Sequence, residues 1–155
     1  MKKDKVPRPC ACTSVRKAAR ILARTYDAAL APSGMNVTQL AVMRAVLRHL
    51  DEPLSRVAAD LAMDRTSLYR ALGALHEQHW VRLNDGEDNR SRRASITKKG
   101  EAVLAQADLG WASTQTAIVD RFGRERWQAF VAELQRLADC VTSIAVKKFV
   151  PGGTR

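Results

Sequence analysis

The side chains with the clearest chemical purpose in this sequence are arginines in a short polar segment, residues 88–93. Arg90, Arg92 and Arg93 fall within four residues there. Like charges held this close repel one another, so the arrangement gains little unless an anion meets them. A narrow DNA minor groove has an enhanced negative potential that attracts inserted arginine side chains. The segment therefore predicts contact with a polyanion, whereas a solvated turn would more usually mix lysine with glutamate.

A second polar set lies earlier in the chain, on a helix predicted behind Asp64. Leu68, Leu72 and Leu75 recur at helical spacing and form an apolar stripe. Arginine can bond guanine bidentately, and hydroxyl side chains can reach phosphates or base edges. The alternative is an ordinary amphipathic helix with a solvated face. The candidate DNA-contacting residues that lie off the stripe are Arg65, Thr66, Ser67, Tyr69 and Arg70.

The charge of the whole chain favours the same class of partner. The sequence has 26 Lys and Arg against 16 Asp and Glu, for a formal charge of +10, and its pI is near 10.2. A pI above about 9 in a small domain is the electrostatic footprint of a polyanion, most often nucleic acid. Residues 65–100 carry eight basic groups against four acidic ones, and residues 1–25 carry eight against one. The positive charge is concentrated in two segments.

The periodicity of apolar residues indicates the elements that hold these side chains. After a Lys- and Pro-rich arm over residues 1–12, helical patterns begin at Thr13, at Leu54 and behind Thr38 and Asp64. The N-cap candidates are Thr13 or Ser14 for the first helix, Thr38 for the second and Asp64 for the fourth. The period then becomes alternating over 81–83 and 93–96, which predicts two short strands and a hairpin. Two long helical patterns follow, separated by Gly123. The expected fold class is mainly α with a small β-hairpin wing (α+β), a winged helix-turn-helix.

The terminal helical patterns indicate a dimer. The apolar stripes over 15–30 and 130–144 expose more apolar surface than one small winged module can cover. Pairing between subunits would bury them in an interface larger than about 2,000 Å², as obligate homodimers often have.

For the domain organisation, we expect one domain over residues 1–155. Its dimerisation helices would span 13–31 and 101–148, and its winged helix-turn-helix would span 38–97.

Two segments resemble a known family. LSRVAADL at Leu54–Leu61, followed by DRTSLYRAL at Asp64–Leu72, resembles the helix-turn-helix of MarR-type regulators. Asp88, Arg90, Ser91 and Arg93, followed by Ile96-Thr97 and Lys99-Gly100, are similar to that family's wing and wing-to-helix junction. The resemblance covers essentially the whole chain. The chain departs from the pattern after the recognition helix, where it has His79 and the family usually has glycine.

The resemblance implies a function and a role for each matching residue. It implies a homodimeric, DNA-binding transcriptional regulator, a repressor on a pseudo-palindromic operator, released by an oxidant or by a small molecule of the aromatic or phenolic acid class. Residues 65–67, 69 and 70 would read the major groove. Arg90 would enter the minor groove, Asp88 would brace the wing, and Arg93 would support the wing or touch phosphate.

The same resemblance places an inducer cleft between the dimerisation helices and the winged module. Tyr26, His49 and Trp111 are the polar-tipped rings that we nominate for it. Simple core or interface packing is the alternative for all three.

The three cysteines are candidates for redox sensing. Cys10 and Cys12 lie just before the first predicted helix, among basic residues that would raise the thiolate fraction. Cys140 lies late in the last helix, where the interlocked dimer implied by the resemblance could bring it near the first pair in the partner subunit. Inert thiols are the alternative. A structural zinc is disfavoured, because zinc sites usually use four ligands at two-to-four-residue spacings.

Other classes of function find little support. The sequence has no evident Ser/His/Asp pattern, phosphate-binding glycine loop, metal-ligand cluster or paired carboxylates, so we expect neither an enzyme nor a cofactor. It has no apolar run near the roughly 18 residues of a membrane span and no secretory signal, so we expect a cytoplasmic protein. The alternative function is a winged-helix module that binds RNA or a protein partner without controlling a promoter.

Overall fold

The computed structural model describes residues 9–84 and 92–148 of the chain. Their fold is mainly α-helical with one two-stranded antiparallel hairpin, which confirms the predicted fold class. The chain divides into two compact units, residues 1–114 and 115–155, with the boundary inside the fifth helix. The first unit contains the helix-turn-helix and the hairpin. The single domain expected from the sequence stays a prediction.

The first two helices begin earlier than the sequence predicted. Helix α1 spans Ala11–Leu30, with Cys10 as its N-cap, and a short 3-10 turn and Gly34 follow it. Helix α2 spans Val37–Arg48 and is capped by Asn36 rather than Thr38. The Asn36 side chain accepts from the backbone N–H of Gln39, and the Gln39 side chain accepts from that of Asn36, both at 2.9 Å. This reciprocal capping box satisfies two donors that a hydroxyl at residue 38 would leave free.

The central helices follow the prediction closely. Helix α3 spans Leu54–Asp60 and helix α4 spans Arg65–Glu77, with only a short turn between them. Asp64 caps α4, because its carboxylate accepts from the backbone N–H of Ser67 at 2.9 Å. The capped helix turns its leucine stripe inward, and Leu68, Leu72 and Leu75 are each at most 1% exposed.

The hairpin consists of β1, Val81–Asn84, and β2, Arg93–Ile96. Its register pairs Val81 with Ile96, Arg82 with Ser95, Leu83 with Ala94 and Asn84 with Arg93. Because side chains alternate along a strand, one face carries the apolar residues. Val81 and Ala94 on that face are buried in the core, and Arg82 and Arg93 on the other are exposed. The hairpin therefore has an apolar inner face and a polar outer face.

Helix α5 spans Lys98–Phe122, and helix α6 spans Arg124–Lys148. Within the first unit, Leu104 and Ala107 of α5 join a core built from α2, α3, α4 and the hairpin. Within the second unit, Phe122, Trp127 and Phe130 form an aromatic cluster with ring centroids 5.8 to 6.5 Å apart. In the described part of the chain, no helix is both long enough and apolar enough to cross a bilayer.

Candidate nucleic-acid interface

The N-terminal turns of α4 present the polar set predicted from the sequence. Arg65, Thr66 and Arg70 are exposed, and Ser67 and Tyr69 are half-buried. Ser67 has a structural task there, since its hydroxyl donates to the Asp64 carboxylate at 2.6 Å. This bond, followed by the bond from the Ser67 backbone, holds the pKa of Asp64 below its usual value. Asp64 therefore stays ionised as a cap, and its charge favours the positive end of the helix dipole.

Tyr69 lies between two arginines that come from distant parts of the sequence. The guanidinium carbon of Arg65 is 5.3 Å from the centre of the Tyr69 ring, and that of Arg92 is 6.0 Å away. Both separations are within cation–π range. The backbone also connects the loop end of the hairpin to the helix-turn-helix, because the Leu54 N–H donates to the Arg92 carbonyl at 2.9 Å. The predicted recognition helix and the loop end of the predicted wing thus meet at one surface.

A cavity of about 350 Å³ opens at this surface between α3 and α4. Its wall includes the apolar Leu54, Ala58 and Met63, and Arg65, Tyr69 and Arg92 also line it. Ser55 of α3 lines the cavity too, although the sequence analysis did not single it out. Its position in the first turn of α3, facing away from the buried Val57, could have indicated it.

The remaining predicted wing residues divide between the described and undescribed parts of the chain. Arg93 is exposed and pairs with Asn84 across the hairpin. Asp88 and Arg90 lie outside the described residues, so the bracing role of Asp88 and the groove-binding role of Arg90 stay predictions.

His79 adopts the conformation that a glycine would supply after the recognition helix. Its φ is 60°, in the left-handed region. The N–H groups of His79 and Trp80 donate to the carbonyls of His76 and Leu75 at 2.8 and 3.0 Å, which is a Schellman motif. Trp80 is buried, and the His79 carbonyl accepts from the Thr97 hydroxyl at 2.7 Å. His79 in place of glycine therefore preserves the backbone geometry at the end of α4. The hydrogen bonds and the burial of Trp80 offset the cost of a side chain in the left-handed conformation.

The three residues nominated for an inducer cleft have different surroundings. Tyr26 is buried, and burial raises the pKa of its hydroxyl. Trp111 is half-buried beneath the Arg44 guanidinium, 4.0 Å from the ring centre, and Arg44 also forms an ion pair with Asp108. His49 contacts the carboxylates of Glu52 and Asp60, both at 3.3 Å. Through its contact with Asp60, His49 connects the end of α2 to α3.

All three cysteines are exposed. Hydrogen bonds from the backbone and side chain of Thr13, followed by one from the Cys12 backbone, lower the pKa of Cys10. Cys12 lies in the first turn of α1 rather than in the arm that the sequence predicted. Among the residues that the structure describes, no group of three or more His, Cys, Asp or Glu side chains is placed to hold a metal ion.

Known proteins resemble this chain over most of its length, although no family model matches it. The transcriptional regulator MosR of M. tuberculosis, solved in complex with DNA, is 33% identical, and the alignment covers 86% of this chain and 98% of MosR with a TM-score of 0.76. The MarR family transcription regulator SP03579 is 18% identical, with 87% of this chain and 90% of that one covered and a TM-score of 0.69.

A relative of Bacillus subtilis strain 168 agrees with the structural matches. It is YwoH, an uncharacterized HTH-type transcriptional regulator, and it is 22% identical over 116 residues. The alignment covers 75% of this chain and 85% of YwoH.

Proposed function

The chain belongs to the MarR family of DNA-binding transcriptional regulators, and on that premise we propose that it is a homodimeric repressor of a pseudo-palindromic operator. The observation that carries the proposal is the meeting of Arg65, Tyr69 and Arg92 at one exposed surface. A two-fold dimer would present two such surfaces. Its half-sites would lie about 10 bp apart, or a multiple of that.

In this proposal each winged module reads two grooves. The N-terminal turns of α4 enter the major groove, where Arg65 and Arg70 bond base edges and Thr66 reaches a base edge or phosphate. Ser67 contributes mainly through the cap, because its hydroxyl already donates to Asp64. Arg90 enters the adjacent minor groove, while Arg92 and Arg93 contact phosphate beside the loop of the wing.

A signal would release the repressor. The resemblance suggests an aromatic or phenolic acid, and the Arg44 guanidinium over Trp111 offers a cation and an aromatic face that such a molecule could use. An oxidant is the other proposed signal, and the lowered pKa of Cys10 raises the fraction of reactive thiolate at the start of α1. Tyr26, His49, Cys12 and Cys140 keep the candidate roles that the sequence gave them.

Selection of binding sequences from random duplex DNA tests the partner, the symmetry and the specificity together. We expect an inverted repeat. Replacing Arg65 with alanine should cost about 1–3 kcal/mol on the selected operator and relax the preference at defined base pairs. Lys17→Ala, which removes an exposed cation of α1, serves as the control and should keep the base preference. Equal weakening by Arg65→Ala on every sequence would instead assign this arginine to phosphate.

The same selection separates the proposal from its alternative. Binding to structured RNA in preference to duplex DNA, or selection without any inverted repeat, would favour a winged-helix module that does not control a promoter. Specific binding to a palindrome should also weaken steeply as the salt concentration increases, because each contact with a phosphate releases counterions from the DNA.

Tyr69 provides a second test, because its ring and its hydroxyl have separable roles. If the ring holds Arg65 and Arg92 in place, Tyr69→Leu should weaken operator binding about tenfold, from the loss of two exposed cation–π contacts of about 0.5–1 kcal/mol each. Tyr69→Phe should bind nearly as well as wild type. Titrations at fixed salt, with matched melting curves, measure both. Equal weakening in the two variants would show that the hydroxyl contacts DNA and that the ring braces nothing.

A further inference from the structure

The outer face of the hairpin continues into a basic groove that the reading surface described above does not use. Arg82 pairs with Ser95, and Asn84 pairs with Arg93, so Arg82 and Arg93 are diagonal neighbours on this face. Diagonal neighbours in an antiparallel pair lie about 7–8 Å apart. Arg82 and Arg93 are therefore neighbours on this face, and Arg93 directly follows Arg92 in the sequence.

The groove lies where the end of α4, the hairpin and the start of α5 meet, and its volume is about 620 Å³. Among the described residues that line it, five side chains carry or can carry a positive charge, and none is a carboxylate. These residues are His76, His79, Val81, Arg82, Ser95, Ile96, Thr97, Lys98 and Lys99. The described lining thus offers cations and hydroxyls to an anion.

Some of these cations have structural tasks and some do not. Lys99 donates to the Gln78 carbonyl at 3.0 Å, and His76 contacts the Val81 carbonyl through Nδ1 at 3.1 Å. Arg82 and Lys98 form no ion pair with any other described residue. Their positive charges are also repelled by the other cations that line the groove. Their arrangement stabilises the fold little by itself, so an external anion is the partner that it fits.

We propose that Arg82 and Lys98, with the groove beside them, bind the phosphate backbone of the duplex DNA that flanks each operator half-site, and so continue the phosphate contact already proposed for Arg93. The inference rests on the proposed function. Cations spread over one surface, from two strands and the start of a helix, fit a repeating polyanion better than a single small anion. This surface also adjoins Arg92, which lies beside the recognition helix. Flanking DNA would have to bend toward the hairpin, and the added contacts would offset the cost of bending.

The salt dependence of binding to two duplexes tests this contact. One duplex contains the selected operator alone, and the other extends it by about one helical turn on each side, about 10 bp. The double variant Arg82→Ala/Lys98→Ala removes up to four phosphate contacts per dimer. On the long duplex its plot of log affinity against log salt should be shallower than that of wild type by up to about 3.6, or about 0.9 per contact. On the short duplex the two slopes should agree.

Two controls keep the test specific to this surface. Arg121→Ala, in the last turn of α5 and outside both basic segments of the sequence, should leave both slopes as in wild type, although it also removes one positive charge per subunit. Arg82→Lys/Lys98→Arg keeps the charges and should restore the slope on the long duplex. Hydroxyl-radical footprinting should show flanking protection with wild type and its loss with the double alanine variant, while melting curves confirm that each variant is folded.

The outcomes separate this inference from the proposed function. Equal slopes for wild type and the double alanine variant on both duplexes, or an equal change on both, would overturn the flanking contact. Competition by pyrophosphate without any dependence on duplex length would also overturn it, because the groove would then hold a small phosphorylated ligand. If wild type selected no operator at all, the proposed function itself would fail.

Discussion

Replacing Gly100 with alanine is expected to destabilise the winged module by about 3 kcal/mol, the upper end of the usual cost of overpacking. A Cβ at this position would lie 2.1 Å from the Trp80 carbonyl oxygen and 2.9 Å from Cγ2 of Ile96. The nearer atom is backbone, so relief requires a shift of α5 relative to the end of α4. Thermal and denaturant unfolding measure the effect, which corresponds to a fall in Tm of about 6–12 °C for a chain of this size.

Gly73 provides the matched control for Gly100. It lies inside α4, and a Cβ there would meet nothing within 4 Å. Gly73→Ala should therefore stabilise the protein by about 0.5–1 kcal/mol, the usual difference between the two residues in a helix. If Gly100→Ala were as stable as wild type, α5 would approach the end of α4 less closely than the structure shows.

The surroundings of Gly100 explain a motif that the sequence could only match. In the sequence, Thr97, Lys99 and Gly100 match the family by resemblance alone, without a physical reason for them. In the structure the Thr97 hydroxyl donates to His79 and accepts from the Gly100 N–H at 3.0 Å, and Lys99 reaches the Gln78 carbonyl. The motif thus connects the start of α5 to the exit of the recognition helix. Periodicity cannot reveal the bonds to His79 and Gln78, because they join residues about twenty positions apart.

Local sequence signals predict that a helix forms more reliably than they predict the residue at which it begins. Asp64 was identified as the cap of α4, because an acidic residue directly before a helical stripe is a strong local signal. The start of α1 was placed two residues late, since Cys10 is an unusual cap and Thr13 a common one. The α2 cap was assigned to Thr38 because the paired bonds between Asn36 and Gln39 depend on side-chain geometry that a pattern does not contain.

For the contact residues, too, the sequence indicates the residues but not how the fold arranges them. The sequence indicates Arg65 and Arg92 as candidate contact residues through clustered charge, and Tyr69 through its position off the apolar stripe. It could not show that Tyr69 lies between the two arginines, because that depends on how the hairpin packs against α3 and α4. The basic groove was missed for a similar reason. Its cations come from α4, β1 and the start of α5, and only the fold brings these segments together.

The apolar face of α6 carries the last prediction and the largest expected effect on DNA binding. Its side chains recur at three- and four-residue steps and are between 37% and 56% exposed within one chain: Phe130, Leu134, Leu137, Val141 and Ile144. An apolar stripe of this length on a single chain marks an interaction surface. In the proposed homodimer it would be covered by the partner subunit.

Leu137→Asp/Val141→Asp should therefore convert the protein to a monomer at micromolar concentration, because pairing would bury unpaired carboxylates. Operator affinity should fall by at least about 100-fold, since the second half-site would no longer be held at an effective concentration in the millimolar range. Sedimentation and operator titrations measure the two effects, and circular dichroism checks that the variant is folded. Gln128→Asp, which adds a carboxylate to α6 away from the apolar face, should leave both mass and affinity unchanged. A double variant that still sediments as a dimer would place the subunit interface elsewhere, and the proposed pairing through α6 would be wrong.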